Sequence, residues 1–334
     1  MELVRNQSKK LAVVLAGVAA VMLIGQVDSV RTYITEIRNG PGTQNAFDMF
    51  KEATGEESLL SAIRDKAAET RIAPVNARVD RVWKAIPGYN GLEIDVEATY
   101  RKALGGTLNT KIPYVYRQVE PEIQLKDLGA HPIYRGNESK PMVSFMINVA
   151  WGNEFLVPML DTLDAEKVKA TFFLDGSWLS KNAELAKEIQ KRGHELSNHA
   201  YSHPDMSRLS AERARLEISK TEELLQQTLG VKNRWFAPPS GDFNQKTVDI
   251  AASMGLKTVL WTVDTVDWRK PSPDSVIAKI AKKTEAGSLI LMHPTASSAG
   301  ALKGMIDSIH AKGLSLGTVS ETLSSERVQG HTVE

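Results

Sequence analysis

Hydrophobic and polar positions follow a repeating rhythm over the second half of the chain. From residue 141 onward, strand-length apolar runs alternate with segments in which apolar residues recur every three or four positions. The apolar runs include VSFMIN, KATFFL, LKTVLW and SLILM, and the periodic segments include AELAKEIQKRG and SAERARLEISKTEELLQQTLG. This alternation predicts repeated β–α units, of which about seven fit into residues 141–325. Such an order implies a parallel sheet, either open or closed into a barrel.

The chain begins with a basic flank followed by an apolar run. Arg5, Lys9 and Lys10 precede LAVVLAGVAAVMLIG at residues 11–25. A complete membrane span needs about 20 apolar residues, so the run is typical of a signal-peptide core as well as of an anchor. Because no clear small-x-small cleavage site follows, we expect residues 1–26 to form an uncleaved anchor with the body of the protein extracytoplasmic. Cleavage and secretion, or a buried soluble helix, are the alternatives.

Three segments separate this run from the repeated units. Residues 27–72 are polar with helical periods and predict a helical stalk. Residues 73–112 combine helical periods with the alternating stretch LEIDVEA and predict a small α/β module. Residues 113–140 are rich in proline, glycine and charge and predict a linker. The predicted class is therefore α/β, a distorted (β/α) barrel preceded by an anchor and a small α/β region.

Composition narrows the possible functions. The chain has 41 Lys and Arg residues against 40 Asp and Glu residues, so its charges nearly cancel. This balance gives no indication of nucleic acid or another polyanion as the main partner. The chain contains no cysteine, which excludes disulfides, thiolate metal sites and cysteine nucleophiles.

Polar residues stand where five of the predicted strands end: Asn148, Asp175, His199, Asp264 and His293. In a β/α barrel, the ends of the strands form the reactive face. We therefore expect these side chains to approach one another. For Asp175, which precedes Gly-Ser, a role as a helix cap is favoured over a role as a ligand or base.

Histidines provide the candidate chemistry. His199 and His203 are four residues apart in SNHAYSHP, a spacing that can bind a divalent ion, with Zn²⁺ the first candidate, but that also occurs by chance. His293 ends an apolar strand and is either a core residue or an acid–base group. Asp267 is either a helix cap or a partner of His293 that would raise the pKa of the imidazole.

Five motifs together resemble one known family. They are KATFFLDG, GHELSNHAYSHP, FAPPSGDFN, LWTVDTVDW and LILMHP. In this order they are similar to the polysaccharide deacetylases of the NodB-homology type, carbohydrate esterase family four, over residues 141–323. The Trp-Gly pair in NVAWG resembles the sporulation-associated branch of endospore-forming bacteria.

The resemblance implies a distorted β/α barrel and a metal-dependent hydrolysis of N-acetyl groups on amino-sugar polymers such as peptidoglycan or chitin. By position, His199 and His203 match metal ligands, usually for zinc, and His293 matches the catalytic acid with Asp267 as its orienting partner. The resemblance also implies a substrate pocket formed by Trp268, Leu291, Pro238, Pro239 and Ser240.

Three departures from the family pattern fall on the same site. The family motif Thr-Phe-Asp-Asp-Gly supplies the base and the third metal ligand, and ungapped counting places these on Asn148 and Val149. The alternative register places them on Ala150 and Trp151, which also lack a carboxylate. The family arginine that pairs with the base is Ala237 here. Loss of the base together with its arginine is coherent, because an unpaired buried cation is unfavourable.

Two hypotheses follow. The first is an extracytoplasmic deacetylase, active in sporulation or cell-wall modification, whose activity is weakened and whose zinc is weakly bound or absent. The second is a catalytically inactive protein that binds a glycan or another partner. We expect an N-acetylated glycan, a peptidoglycan or chitin-like oligomer, as the partner, and a membrane contact through the N-terminal segment. A barrel unrelated to sugars is disfavoured by the ordered set of motifs.

Overall fold

The computed structural model describes residues 41–105 and 111–328. These residues form two compact units, one comprising residues 41–70 and 94–115 and the other residues 71–93 and 116–328, within the described ranges. The predicted anchor at residues 1–26 lies outside the described residues. No helix in the described ranges is long and apolar enough to cross a membrane.

A curled parallel sheet forms the centre of the second unit. Its strands are β5 (Met142–Val149), β6 (Thr171–Leu174), β7 (Glu195–Asn198), β8 (Trp235–Phe236), β9 (Lys257–Thr258), β10 (Val263–Asp264), β11 (Leu289–Met292) and β12 (Ser315–Gly317). Seven of them follow the order β10-β11-β5-β6-β7-β8-β9, and β12 also pairs with β5. All of these pairings are parallel. The predicted distorted barrel is confirmed as a curled half-barrel.

Helices alternate with the strands in the same unit. They are α3 (Asn153–Ala165), α4 (Gly176–Leu179), α5 (Ala183–Lys191), α6 (Ala211–Leu229), α7 (Gln245–Ser253), α8 (Pro273–Lys283), α9 (Ala296–His310) and α10 (Val319–Leu323). Local sequence sets their limits. In α6, for example, the Ser210 side chain accepts a hydrogen bond from the Arg213 N–H, and Gly230 ends the helix in the left-handed conformation.

Strand β5 is buried on both faces, as expected of a central parallel strand. Phe145, Ile147 and Val149 belong to the large apolar cluster that includes residues of α3 and α9. Met146 belongs to a second cluster, formed inside the curl by residues from several strands. Because side chains alternate along a strand, Asn148 shares the inner face with Met146. The alternation therefore places Asn148 on the inner face of the curled sheet, while Val149 packs into the large apolar cluster.

The described residues before β5 contain two α-helices and four short strands. The first unit contains α1 (Pro41–Thr70) and α2 (Val96–Leu104). The remaining strands are β1 (Arg78–Asp80), β2 (Lys84–Ile86), β3 (Gly91–Ile94) and β4 (Tyr116–Val119), paired as β1-β2 and β3-β4.

Residues 113–140, predicted as a linker, contribute to the core of the second unit. Ile133 is 1% exposed and forms bridges to Val259 and Ala85. Thr262 Oγ1 also donates to the Tyr134 carbonyl oxygen. A proline- and glycine-rich composition predicted the irregular backbone of this segment, but not the apolar contacts that bury it.

Candidate active site

A cavity of about 420 Å³ opens at the carboxyl ends of the parallel strands. Its lining residues are Asn148, Ala150, Trp151, His199, His203, Ser240, Trp261, Asp264, Trp268, Leu291 and His293. We call this cavity the cleft. A cavity of similar size, about 390 Å³, includes residues at the beginnings of β8 and β9 and contains none of the predicted site residues. The cleft is therefore the candidate active site.

The end of β5 brings no carboxylate to the cleft. Asn148 is 3% exposed, and its Oδ1 has no hydrogen-bond partner among the described residues. Val149 is fully buried in the apolar cluster and does not line the cleft, whereas Ala150 does. Asn148 from the ungapped register and both positions of the alternative register, Ala150 and Trp151, thus line the cleft, whereas Val149 does not.

His199 and His203 lie side by side. Their ring centroids are 5.2 Å apart with an angle of 71° between the planes. His199 Nδ1 lies 2.8 Å from the Ala237 carbonyl oxygen, so Nδ1 carries the proton and Nε2 is an acceptor with no hydrogen bond from the part of the chain that the structure describes. Burial, followed by the neighbouring His203, lowers the pKa of His199 to about 3, so the imidazole is neutral at pH 7. His203 adopts the left-handed conformation with φ 56°.

The donor set does not fit the metal that the family resemblance implies. Catalytic zinc sites usually provide three protein ligands. The described residues contain no group of three His, Asp or Glu residues close enough to share an ion. Two imidazoles are present, and Val149 and Ala150 add only hydrocarbon where a carboxylate is expected.

The end of the neighbouring strand β11 carries a complete hydrogen-bonded pair. His293 Nδ1 lies 2.8 Å from Asp267 Oδ1, and the His293 backbone N–H donates to Asp267 Oδ2 at 2.6 Å. Ser298 Oγ donates to the same Oδ2. Burial raises the pKa of Asp267, but the hydrogen bonds from His293 and Ser298 outweigh it, so the pKa lies below its usual value of 3.8. The ionised carboxylate thus orients His293 and leaves Nε2 as the nitrogen available to a ligand.

The predicted pocket residues divide into two groups. Ser240, Trp268 and Leu291 line the cleft. Pro238 and Pro239 are buried and are not among its lining residues.

The sequence reasoning did not assign Trp151 and Trp261 to the pocket. The Trp151 ring is parallel to His293, with an 8° angle and 5.9 Å between centroids, and Trp151 is 48% exposed. Gly152 makes this approach possible, because a Cβ at its φ of 84° would lie 2.0 Å from the Pro294 carbonyl oxygen. The Trp-Gly pair was the available sequence signal for Trp151, but the contact of Trp151 with the end of β11 cannot be read from the sequence.

Asp175 caps a helix, as predicted. Its Oδ1 accepts hydrogen bonds from the Trp178 N–H at 2.9 Å and from Ser177 Oγ at 2.6 Å. Burial raises its pKa, and it does not line the cleft. Its Oδ2 is buried without a hydrogen-bond partner among the described residues, and these residues show no group in which Asp175 could share an ion with His199 and His203.

Comparison with known proteins assigns this geometry to a family. The family profile described as Polysaccharide deacetylase matches residues 135–259. A Bacillus subtilis relative named as uncharacterized protein YlxY is 47% identical over 84% of this chain and 88% of its own length. A Bacillus cereus protein named peptidoglycan-N-acetylglucosamine deacetylase is 32% identical over 66% of this chain and 84% of its own length.

The solved structure of BA3943 from Bacillus anthracis, described as a pseudoenzyme of carbohydrate esterase family four, is also similar. Its TM-score is 0.74 at 41% identity, and the match covers 80% of this chain and 96% of the other. A mutant of that protein is described as having restored enzymatic activity.

Proposed function

Because the chain belongs to the polysaccharide deacetylase family, we propose that it binds an N-acetylated cell-wall glycan in the cleft without efficient hydrolysis. The observation that carries this proposal is the end of β5, where Asn148, Val149 and Ala150 supply neither the proton acceptor nor the metal-binding carboxylate that hydrolysis needs. An amide cannot take a proton at pH 7, and losing a general base typically lowers the rate by about 10²–10⁴-fold.

The remaining side chains support binding of a sugar. Trp151, Trp261 and Trp268 line the cleft, and indole rings provide flat apolar surfaces against which sugar rings can pack. His293, oriented by Asp267, offers Nε2 to a polar group of the ligand. Homologous enzymes act on peptidoglycan N-acetylglucosamine, which supports an N-acetylated glycan as the ligand class.

The proposed setting is the extracytoplasmic face of the membrane, in sporulation or cell-wall modification. The basic flank and apolar run at residues 1–26 support the location, and the Trp-Gly pair supports the sporulation branch. Fusion of a reporter to residue 334 and protease treatment of intact cells would test the location, with accessibility from outside expected.

The test of the binding function combines calorimetry with acetate release. N-acetylglucosamine oligomers should bind the purified protein, and acetate should stay at the level of a protein-free control. Binding should persist in His293→Ala, because the aromatic walls remain. Acetate release within tenfold of a deacetylase with both aspartates, or no binding to any N-acetylated oligomer, would contradict the proposal.

A weakened deacetylase is the second candidate, and the intact Asp267–His293 pair favours it. Deacetylases of this family are generally metal-dependent, so this candidate requires bound metal, with zinc as the first candidate. It predicts about one zinc per chain after zinc loading, lost in His199→Ala. Metal-free protein under saturating zinc would leave glycan binding as the better account.

A further inference from the structure

One acidic side chain in the cleft has no role in the proposed function. Asp264 ends β10 and pairs in register with Leu291, two residues before His293. Among the residues that line the cleft, it is the one with a carboxylate. Asp267 lies close by in the sequence but is fully buried and bound to His293.

The Asp264 carboxylate is oriented by a hydrogen bond to one of its two oxygens. Its Oδ1 accepts a hydrogen bond from the Val266 N–H at 2.7 Å, which orients the side chain. Among the described residues, Oδ2 receives no hydrogen bond and no Lys or Arg forms an ion pair with this half-buried carboxylate, so solvent or a ligand satisfies Oδ2. A preoriented carboxylate with a free oxygen is suited to a charge-assisted hydrogen bond from a ligand.

The surroundings favour a positively charged ligand group. The end of β5, which pairs with β11, presents the uncharged side chains of Asn148 and Ala150, so no cation at that strand end compensates Asp264. Trp268 also lines the cleft and is 51% exposed; its ring contacts the Arg269 guanidinium at 4.7 Å, and indole faces attract cations. An amino sugar whose acetyl group has been removed carries an ammonium group of the size and charge required.

We propose that the cleft prefers a partially deacetylated glycan, with a free ammonium group of one sugar bound to Asp264 Oδ2. The inference rests on the proposed glycan-binding function and names its ligand more closely. It makes Asp264 a specificity-determining residue. It also places the protein after a hydrolytic N-deacetylation step, which must generate the amine that it recognises.

Calorimetry with two oligomers of equal length tests this inference. One is a fully acetylated N-acetylglucosamine pentamer, and the other is the same pentamer with one acetyl group removed. Hydrogen bonds between charged groups typically contribute about 1.5–3 kcal/mol, so wild type should bind the amine-containing pentamer roughly 10–100-fold more tightly at low ionic strength. Added salt should reduce this ratio.

Asp264→Asn is the matched variant, because its amide oxygen can still accept from the Val266 N–H while the charge is removed. The affinity ratio should fall to about one and lose its salt dependence. Asp249→Asn removes the same charge from an exposed helix position outside the cleft and should keep the wild-type ratio. Equal thermal melting of the three proteins establishes that all are folded.

The outcomes separate the two proposals. Equal affinity of wild type for both pentamers overturns the ammonium preference but leaves glycan binding in place. A preference that survives in Asp264→Asn overturns the role of Asp264. If wild type binds neither pentamer, glycan binding and the inference built on it are both overturned.

Discussion

Two neighbouring walls of the cleft, the end of β5 and the end of β11, start from the same architecture and end in opposite chemistry. At one wall, β5 ends in Asn148, whose Oδ1 is buried without a partner, and Ala150 follows. At the other, Asp267 accepts three hydrogen bonds, two from His293 and one from Ser298. The first wall has lost the groups that activate a nucleophile, while the second still holds an oriented imidazole.

This difference shows that binding and catalysis depend on separate parts of the fold. Buried polar groups are stable when they are fully hydrogen-bonded and unfavourable when they are not. The Asp267 network is satisfied by the protein itself and so stabilises the fold whether or not a substrate turns over. The β5 end has no such network: the neutral Asn148 needs no counter-charge there, but its Oδ1 remains a buried acceptor without a partner among the described residues.

Restoring the β5 wall should have the largest effect. In Asn148→Asp combined with Ala150→Asp, acetate release from N-acetylglucosamine oligomers in zinc-containing buffer should rise by about 10²-fold or more, because a base and a cleft-facing ligand return together. Acetate release measured over several hours provides the readout.

The matched control is Asn148→Asp combined with Val149→Asp. Val149 is fully buried in apolar contacts, so a carboxylate there should destabilise the protein by several kcal/mol and give no comparable activity. If this variant is the more active of the two, Val149 and not Ala150 faces the cleft.

Weakening the intact wall should lower stability. Asp267→Asn removes the charge from a fully buried, triply bonded carboxylate and should decrease the free energy of unfolding by about 2–4 kcal/mol in urea titrations. Asp264→Asn, with one hydrogen bond and partial exposure, should change it by less than about 1 kcal/mol.

The effect of Asp267 should also depend on pH with a defined sign. Its folded pKa lies below 3.8, so its stabilisation is present above that value and is lost as the pH falls through the folded pKa. The difference between wild type and Asp267→Asn should stay constant from pH 7 to about pH 5 and shrink below pH 3.8. A difference that grows in acid would show that the carboxyl is protonated in the native protein.

The smallest effect should come from Asn148→Leu. An unsatisfied buried acceptor is unfavourable by about 1–3 kcal/mol, so an apolar side chain of similar size should leave stability equal or raise it by up to about 1 kcal/mol. The midpoint of urea unfolding measures the change. A loss above 2 kcal/mol would mean that Asn148 has a stabilising partner in solution, which would end the contrast between the walls.

Sequence patterns predicted much of this arrangement. The apolar runs and helical periods were sufficient for a parallel α/β sheet, because burial on both faces imposes continuous hydrophobicity on strands such as β5. The motifs predicted that His199, His203, Trp268, Leu291 and His293 share one site, and all five line the cleft.

Other features depended on contacts between distant segments. Composition predicted a linker around Ile133, yet this residue is buried against strands far away in the chain. Trp151 reaches His293 only because Gly152 packs on Pro294, and a contact of this kind leaves no periodic signal.

The sequence by itself determined which chemical groups this site can use, since no fold can give a carboxylate to Asn148, Val149 or Ala150. Tertiary structure decided which of these positions faces the cleft, because the alternation of side chains along β5 turns Val149 into the apolar layer and leaves Asn148 and Ala150 on the inside. It also decided that, within the described residues, Asp264 accepts one hydrogen bond while Asp267 accepts three, because hydrogen-bond partners are set by neighbouring strands and loops that the linear order does not reveal.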